Sequence, residues 1–191
     1  MPAPTTQPCA APLHFATTNR DKLREAEQIL GRPVTGVALA LEELQTTDLA
    51  ALARHKAQQA HAALGRPVLV EDTGLVFLAW GALPGPFIKF FLEHLGLEGL
   101  VRALGPFADK RAEAVCTVGY HDGSTVQIFS GRTPGRIVPP AGEGGFGWDP
   151  IFVPDGQPGG GARTFAQLDA AEKHACSMRA RALQALAAWL A

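Results

Sequence analysis

The sequence predicts an α/β protein, a long mixed sheet flanked by helices, and three observations carry that expectation. Over the first hundred residues, short apolar runs alternate with segments whose apolar residues recur at helical spacing, the strand–helix rhythm of parallel sheet. The run "RAEAVCTVGYHDGSTVQIFSGRTPGRIV" then places β-branched and apolar residues on both sides of Asp122-Gly123, a hairpin signal that adds antiparallel strands. An Ala-rich stretch from Lys173 to Leu190 closes the chain as a helix.

Taken in order, residues 1 to 12 hold four prolines and little to bury, so a mobile tail is expected there and one folded unit from 13 to 191. "LHFATTN" reads as a strand running into a Thr/Asn turn. "DKLREAEQIL" follows with Leu23, Ala26, Ile29 and Leu30 on one helical face before Gly31. A second strand is expected from Val34 to Leu41. "TTDLAALARHKAQQAHAALG" has a Thr/Asp cap, apolar residues at helical spacing and a terminal glycine. "PVLVEDTGLVFLAW" is apolar on both sides of Glu71-Asp72-Thr73-Gly74, which predicts two buried strands meeting at a polar turn. "IKFFLEHLGLEGLVRAL" is helical again, and no internal repeat or interdomain linker interrupts the pattern.

Bulk properties narrow the function. The 191 residues are 47% hydrophobic, enough for a sizeable core, and 17 basic against 18 acidic residues leave a net charge of -1. The basic residues are scattered, which argues against a nucleic-acid or anionic-membrane surface. Cys9, Cys116 and Cys176 form neither a C-x-x-C pair nor an even-numbered framework, so no zinc knuckle or disulfide scaffold is indicated. The N-terminus has no early positive charge or apolar core of a signal, and the longest uncharged stretch, 73 to 88, is broken by glycines and prolines. A cytoplasmic location is expected.

The chemistry-bearing residues sit at expected strand ends and turns. Glu71-Asp72 is a carboxylate pair in apolar surroundings. Neighbouring like charges are costly to bury, and Mg²⁺, a hard ion held by one or two carboxylates plus phosphate, is a natural compensator. The alternative is a solvated turn with Asp72 capping backbone N–H groups. Of the seventeen basic residues only five are lysines, Lys22, Lys56, Lys89, Lys110 and Lys173. Each can be a solvated surface charge, but together they suit phosphate oxygens approached from several sides.

"GEGGFGWDPIF" contains the spacing G-x-G-x-x-G at Gly142, Gly144 and Gly147, but Trp148-Asp149-Pro150 follows where a dinucleotide motif needs a helix to open. Its rings either fill a gap under a Gly/Pro loop or line a site. The six histidines show no metal-ligand spacing, and "SGRTPG" lacks the strand-elbow context of a nucleophilic serine.

Five segments taken together carry a resemblance: "TTNRDKLREAEQIL", "VEDTGLVFLAWGALPGPFIKFFLEHLG", "SGRTPGRIVPP", "FGWDPIFVPDG" and "TFAQLDAAEKHACSMRARAL". In this order, from about residue 13 onward, the chain resembles the inosine triphosphate pyrophosphatases, and the eukaryotic-type members most. The resemblance implies an elongated, two-lobed single domain with the active site in the cleft, a homodimer, and Mg²⁺-dependent hydrolysis of non-standard purine nucleoside triphosphates to monophosphate and pyrophosphate. It implies that Thr17, Thr18, Asn19 and Lys22 form a phosphate-binding turn and that Glu43 and Asp72 hold the metal, with Glu71 beside Asp72 and Thr73 near the nucleotide. It also implies that Lys56, Lys89 and Lys173 contact the nucleotide, and that Phe146, Gly147, Trp148 and Asp149 form the base pocket, with Arg179 reading a 6-oxo group.

On this reading Asp72, Glu71 and Lys22 serve the chemistry, water attacks the α-phosphorus, and no enzyme nucleophile is required. The sequence departs from the family twice. Met178 stands where the family has histidine, and Thr18 replaces a turn glycine, adding a Cβ where φ can be positive. A non-catalytic purine-nucleotide sensor and a general nucleotide phosphatase are the rival readings.

Overall fold

The computed structural model describes residues 13–191, so the expected N-terminal tail lies outside the described residues. A parallel corner opens the fold. β1 (Leu13–Ala16) lies parallel to β2 (Val34–Val37), with Leu13 opposite Val34, and α1 (Arg20–Leu30) crosses between them. Asn19 starts α1 by accepting from the N–H groups of Asp21 and Lys22 at 2.9 and 3.1 Å, and Gly31, at φ 61°, stops it. α2 (Leu49–Leu64) is capped in the same way by Asp48 and Gly65.

β3 (Val68–Phe77) corrects the expectation of two strands meeting at a turn: it is one ten-residue strand running straight through Glu71-Asp72-Thr73-Gly74. Strand periodicity explains why acidic residues are tolerated there. Val68, Val70 and Asp72 point to one face and Leu69, Glu71 and Thr73 to the other, so the two carboxylates diverge and each meets its own cation. β3 pairs in parallel with β1 only at Val68–Leu69. It pairs antiparallel with β5 (Arg111–His121) along its whole length, and with the short β4 (Pro84–Gly85) at its far end.

β5 turns into β6 (Val126–Ile137) through the expected hairpin, where Asp122 Oδ1 accepts from Ser124 and Thr125 N–H at 2.7 and 2.8 Å. β7 (Phe152–Pro154) completes the sheet in the order β2-β1-β3-β5-β6-β7, with β4 beside β3.

Three other boundaries differ from expectation. β2 ends at Val37 rather than Leu41, which frees residues 38–48 as a loop. α3 (Ile88–Ala103) breaks at Gly96, whose φ of 65° is not helical. The C-terminal helix is two: α4 (Ala170–Cys176), then α5 (Met178–Leu190), separated at Ser177, which leaves helical geometry to cap α5 through Ala180 N–H.

Two cores sandwich the sheet. Phe15, Leu69, Leu75, Phe77 and Cys116 pack with Leu183 and Leu186 of α5 and Leu100 of α3, whereas Ala53, Ala57 and Ala60 of α2 lie against Val68 and Val70 on the other face. Both helices approach closely over glycine. A Cβ at Gly119 would meet Ala53 O at 2.8 Å, and one at Gly131 would run into the carbonyl of Met178. Lys110, the lysine with no expected role, donates to the carbonyls of Leu104, Gly105 and Phe107 just after α3 and thus completes that helix end.

Candidate active site

The cleft arises from unequal strand lengths. β1 stops at Ala16 while β3 runs on, leaving the edge of β3 at Glu71–Thr73 uncovered beside the Thr17–Asn19 turn. The opening has a volume of about 540 Å³ and is lined by that turn, Lys22, the loop at Leu39–Glu43, Lys56 and the start of α3. An open α/β sheet places ligands at such carboxyl ends of parallel strands.

On the α1 side, Thr17 Oγ1 accepts from Asn19 N–H at 3.1 Å, tightening the turn before the helix. No residue other than glycine has positive φ among the described residues, so Thr18 sits in this turn without the strain that a missing glycine would predict. Lys22, one turn into α1, reaches back to Glu71, 3.2 Å from Oε1 and 3.4 Å from the main-chain carbonyl.

On the α2 side, the Lys56 ammonium lies between two carboxylates, 3.1 Å from Glu43 Oε1 and 3.0 Å from Asp72 Oδ1. Burial opposes the Lys56 charge, but Asp72 and then Glu43 outweigh it and raise its pKa. Asp72 Oδ2 is buried and has no hydrogen-bond partner among the described residues. Glu43 comes from the loop freed by the early end of β2. Gln59, one turn beyond Lys56, clamps that loop: its Oε1 accepts from Glu42 N–H at 3.0 Å and its Nε2 donates to Glu42 O at 3.1 Å.

Behind Lys22 runs a buried ionic chain. Glu71 accepts a two-pronged contact from Arg179, Nε to Oε2 and Nη2 to Oε1, both at 2.9 Å. Burial alone would raise the Glu71 carboxyl, but Arg179 and Lys22 hold it at about 2. Arg179 Nη1 donates to Glu25 of α1, which also accepts from Lys173 at 2.9 Å; against the penalty of burial these two cations lower the Glu25 pKa. Lys173 then reaches Asp149 Oδ2 at 2.7 Å, and the same oxygen accepts from Phe146 N–H at 2.8 Å. Burial pushes the Asp149 carboxyl up, with Lys173 only partly offsetting it. Gly145, at φ 68°, is required here because a Cβ would collide with Asp149 Oδ2. Three carboxylates and three cations therefore link the cleft to the Gly-rich loop.

The residues predicted from sequence separate into three sets. Thr17, Thr18, Asn19, Lys22, Glu43, Lys56, Glu71, Asp72, Thr73 and Lys89 line one cleft, although the Lys89 side chain is 79% exposed at its rim and pairs with Glu93. Asp149, Lys173 and Arg179 join them through the ionic chain, beneath a partly exposed Phe146 whose ring has Lys173 Nζ 4.8 Å and the Arg179 guanidinium 5.3 Å from its centroid. Gly147, at φ 62°, is exposed beside it.

Trp148 and Met178 are placed elsewhere. Trp148 packs in the core against Phe152 and Phe165, and the Met178 side chain is buried in the same core rather than exposed at the cleft. Sequence reasoning missed Glu25 and Gln59. The available signals were spacing alone: Glu25 is three residues after Lys22 and Gln59 three after Lys56, so each shares a helix face with a predicted site lysine.

A mixed sheet whose uncovered strand edge sets carboxylates against ammonium groups defines an α/β protein with a cleft suited to an anionic ligand. Comparisons make this specific. The model of the Ham1 family matches residues 13–189. The chain is 46% identical over 183 residues to the inosine triphosphate pyrophosphatase of Tuber melanosporum, covering 93% of this chain and 96% of that protein. It is likewise 46% identical over 181 residues to the protein of that name from Fusarium vanettenii, covering 93% and 95%.

Among solved structures, the Ham1 protein of Staphylococcus aureus superposes with a TM-score of 0.79 at 28% identity, covering 93% of this chain and 97% of that one. A nucleoside-triphosphatase, dITP/XTP pyrophosphatase, from Mycobacterium abscessus gives 0.70 at 31%, covering 91% and 97%. The chain belongs to the Ham1 family, and its resemblance to the inosine triphosphate pyrophosphatases is borne out.

Proposed function

We propose that this protein is a Mg²⁺-dependent pyrophosphatase that hydrolyses ITP, dITP and XTP to the nucleoside monophosphate and pyrophosphate, cleansing the nucleotide pool. The names of its relatives support the reaction, and one observation carries the site: Glu43, Asp72 and Lys56 meet across the cleft from Lys22.

The donor set fits magnesium. Among the described residues no three His, Cys, Asp or Glu side chains gather, but two carboxylates plus substrate phosphates are a usual Mg²⁺ arrangement, and Asp72 Oδ2 is a buried acceptor without a partner. Glu43 and Asp72 would hold the ion. When bound, it would polarise the phosphate oxygens. Lys22 and Lys56 neutralise charge that grows on the departing pyrophosphate, an electrostatic rather than covalent contribution. The Thr17–Asn19 turn and the start of α1 present N–H donors to phosphate oxygens. Glu71, ionised and engaged by Arg179 and Lys22, orients Lys22 more than it accepts a proton, which leaves the alignment of water to Asp72.

At the other end of the chain of charges, Phe146 is the ring that faces a purine, Trp148 supports it from the core, and Gly147 lets the main chain approach the base edge. Lys173 and Asp149 hold that loop in position, and Arg179 lies beneath Phe146 as the donor for a 6-oxo group. Thr73 and Lys89 contact the nucleotide from the floor and rim of the cleft. Homodimer formation and a cytoplasmic location belong to the same reading. Among the described residues no helix is long and apolar enough to cross a membrane.

The test is pyrophosphate release from ITP with Mg²⁺, alongside ATP as a control and the Asp72→Asn variant. The expected result is pyrophosphate from ITP, little from ATP, and loss of turnover in Asp72→Asn. Binding of ITP without product would make the protein a sensor, and inorganic phosphate at similar rates from both nucleotides would make it a general phosphatase.

A further inference from the structure

The Lys56 ammonium does more than line the cleft: it is the shared partner of both carboxylates that would hold the metal, at 3.1 and 3.0 Å. Its side chain is 13% exposed, and Asp72 is 14% exposed. A divalent ion approaching Glu43 and Asp72 therefore meets a resident cation with little access to water. Taking the carboxylates from it leaves an ammonium beside a dication, which is unfavourable in a part-buried setting. Lys22 cannot relieve this, because it is a cation already engaged with Glu71. Lys56 lines the cleft, where the polyphosphate of the proposed substrate is an anion able to receive it.

We propose that Lys56 is a built-in counter-ion which competes with the divalent metal for Glu43 and Asp72 and moves to the phosphates of the substrate as the metal takes the carboxylates. Metal binding and polyphosphate binding are thereby coupled: each ligand favours the other, and metal alone is held weakly. The coupling is reciprocal by linkage, and couplings of this kind amount to roughly 5- to 150-fold in affinity. This rests on the function proposed above for the same site and adds an order to it, since the charge balance at the carboxylates is restored only when the nucleotide arrives.

Mn²⁺ alone is the probe, titrated without nucleotide and followed by the paramagnetic resonance of the free ion. Wild-type protein is expected to bind it weakly. Lys56→Met should tighten binding roughly 5- to 150-fold, and adding Asp72→Asn should remove the gain. Equal affinity of wild type and Lys56→Met overturns the proposal, as does a gain that survives Asp72→Asn.

If Lys56→Met does not fold, the wild-type protein suffices, through the ¹⁵N resonance of the Lys56 ammonium. It should stay unmoved by Mg²⁺ alone and shift when a non-hydrolysable inosine triphosphate is added with it; a shift with dilute Mg²⁺ alone overturns the proposal. Pyrophosphate release by wild-type protein is scored separately, so a failed counter-ion role and a failed enzyme assignment give different results.

Discussion

Glu25 is the residue whose removal tests the buried ionic chain most directly. Glu25→Ala leaves Arg179 with Glu71 alone and Lys173 with Asp149 alone, and a balanced set of three carboxylates and three cations becomes unbalanced by one charge. The Arg179 side chain is only 2% exposed and that of Lys173 7%, so water cannot readily replace the lost carboxylate. Breaking a buried ion pair by deleting one partner costs about 3–5 kcal/mol. Two charge-assisted hydrogen bonds at about 1.5–3 kcal/mol each give about 3–6 kcal/mol, which overlaps that range. For a chain of this length each kcal/mol moves Tm by about 2–4 °C, so a fall of roughly 6–20 °C is expected. Urea unfolding followed by circular dichroism reads the free energy, and calorimetry reads Tm. Glu25→Gln, which keeps the shape and one acceptor oxygen, should lose less. A loss below about 1 kcal/mol in Glu25→Ala, the range of an exposed pair, would falsify the claim that this network is dry and structural.

Two further predictions concern Glu71 and Gln59. The folded Glu71 carboxyl is held at about 2, below its ordinary 4.5, so its contribution is fully present above about pH 4.5 and is lost as pH falls toward 2. That amounts to about 3 kcal/mol; stability measured against pH should flatten over this window in Glu71→Gln, and an unchanged acid limb would contradict the assignment. Gln59→Ala should loosen the loop carrying Glu43 and raise the metal concentration needed for half-maximal ITP hydrolysis by about tenfold, with fold stability changed by less than about 1 kcal/mol. An unaltered metal dependence would show that Glu43 is positioned without the Gln59 clamp.

What was legible in the sequence was whatever depends on near neighbours along the chain. Asn19 and Asp48 before helical runs, Gly31 and Gly65 after them, and Asp122-Gly123 between β-branched segments mark element ends because capping and turn chemistry act over two to four residues. The cleft residues were legible through family resemblance, since spacing alone could not say that Glu43, Lys56 and Asp72 meet. The miss at Glu71–Gly74 is instructive. Two carboxylates in an apolar run read as a turn because an isolated buried charge is unfavourable, yet here the strand continues because Arg179, 108 residues away, and Lys56 supply compensating charge on opposite faces.

Trp148 and Phe146 make the same point, as two rings of one loop, the first packed in the core and the second partly exposed over Lys173 and Arg179. By itself the sequence determined where α1, α2 and the β5–β6 hairpin turn begin and which residue types were available for phosphate and metal chemistry. Only the tertiary structure decided which charges are buried, which partner each one meets and which ring faces outward. Those outcomes depend on contacts such as Glu25 with Arg179, 154 residues apart, whose energies arise only once the sheet and α5 have excluded water between them.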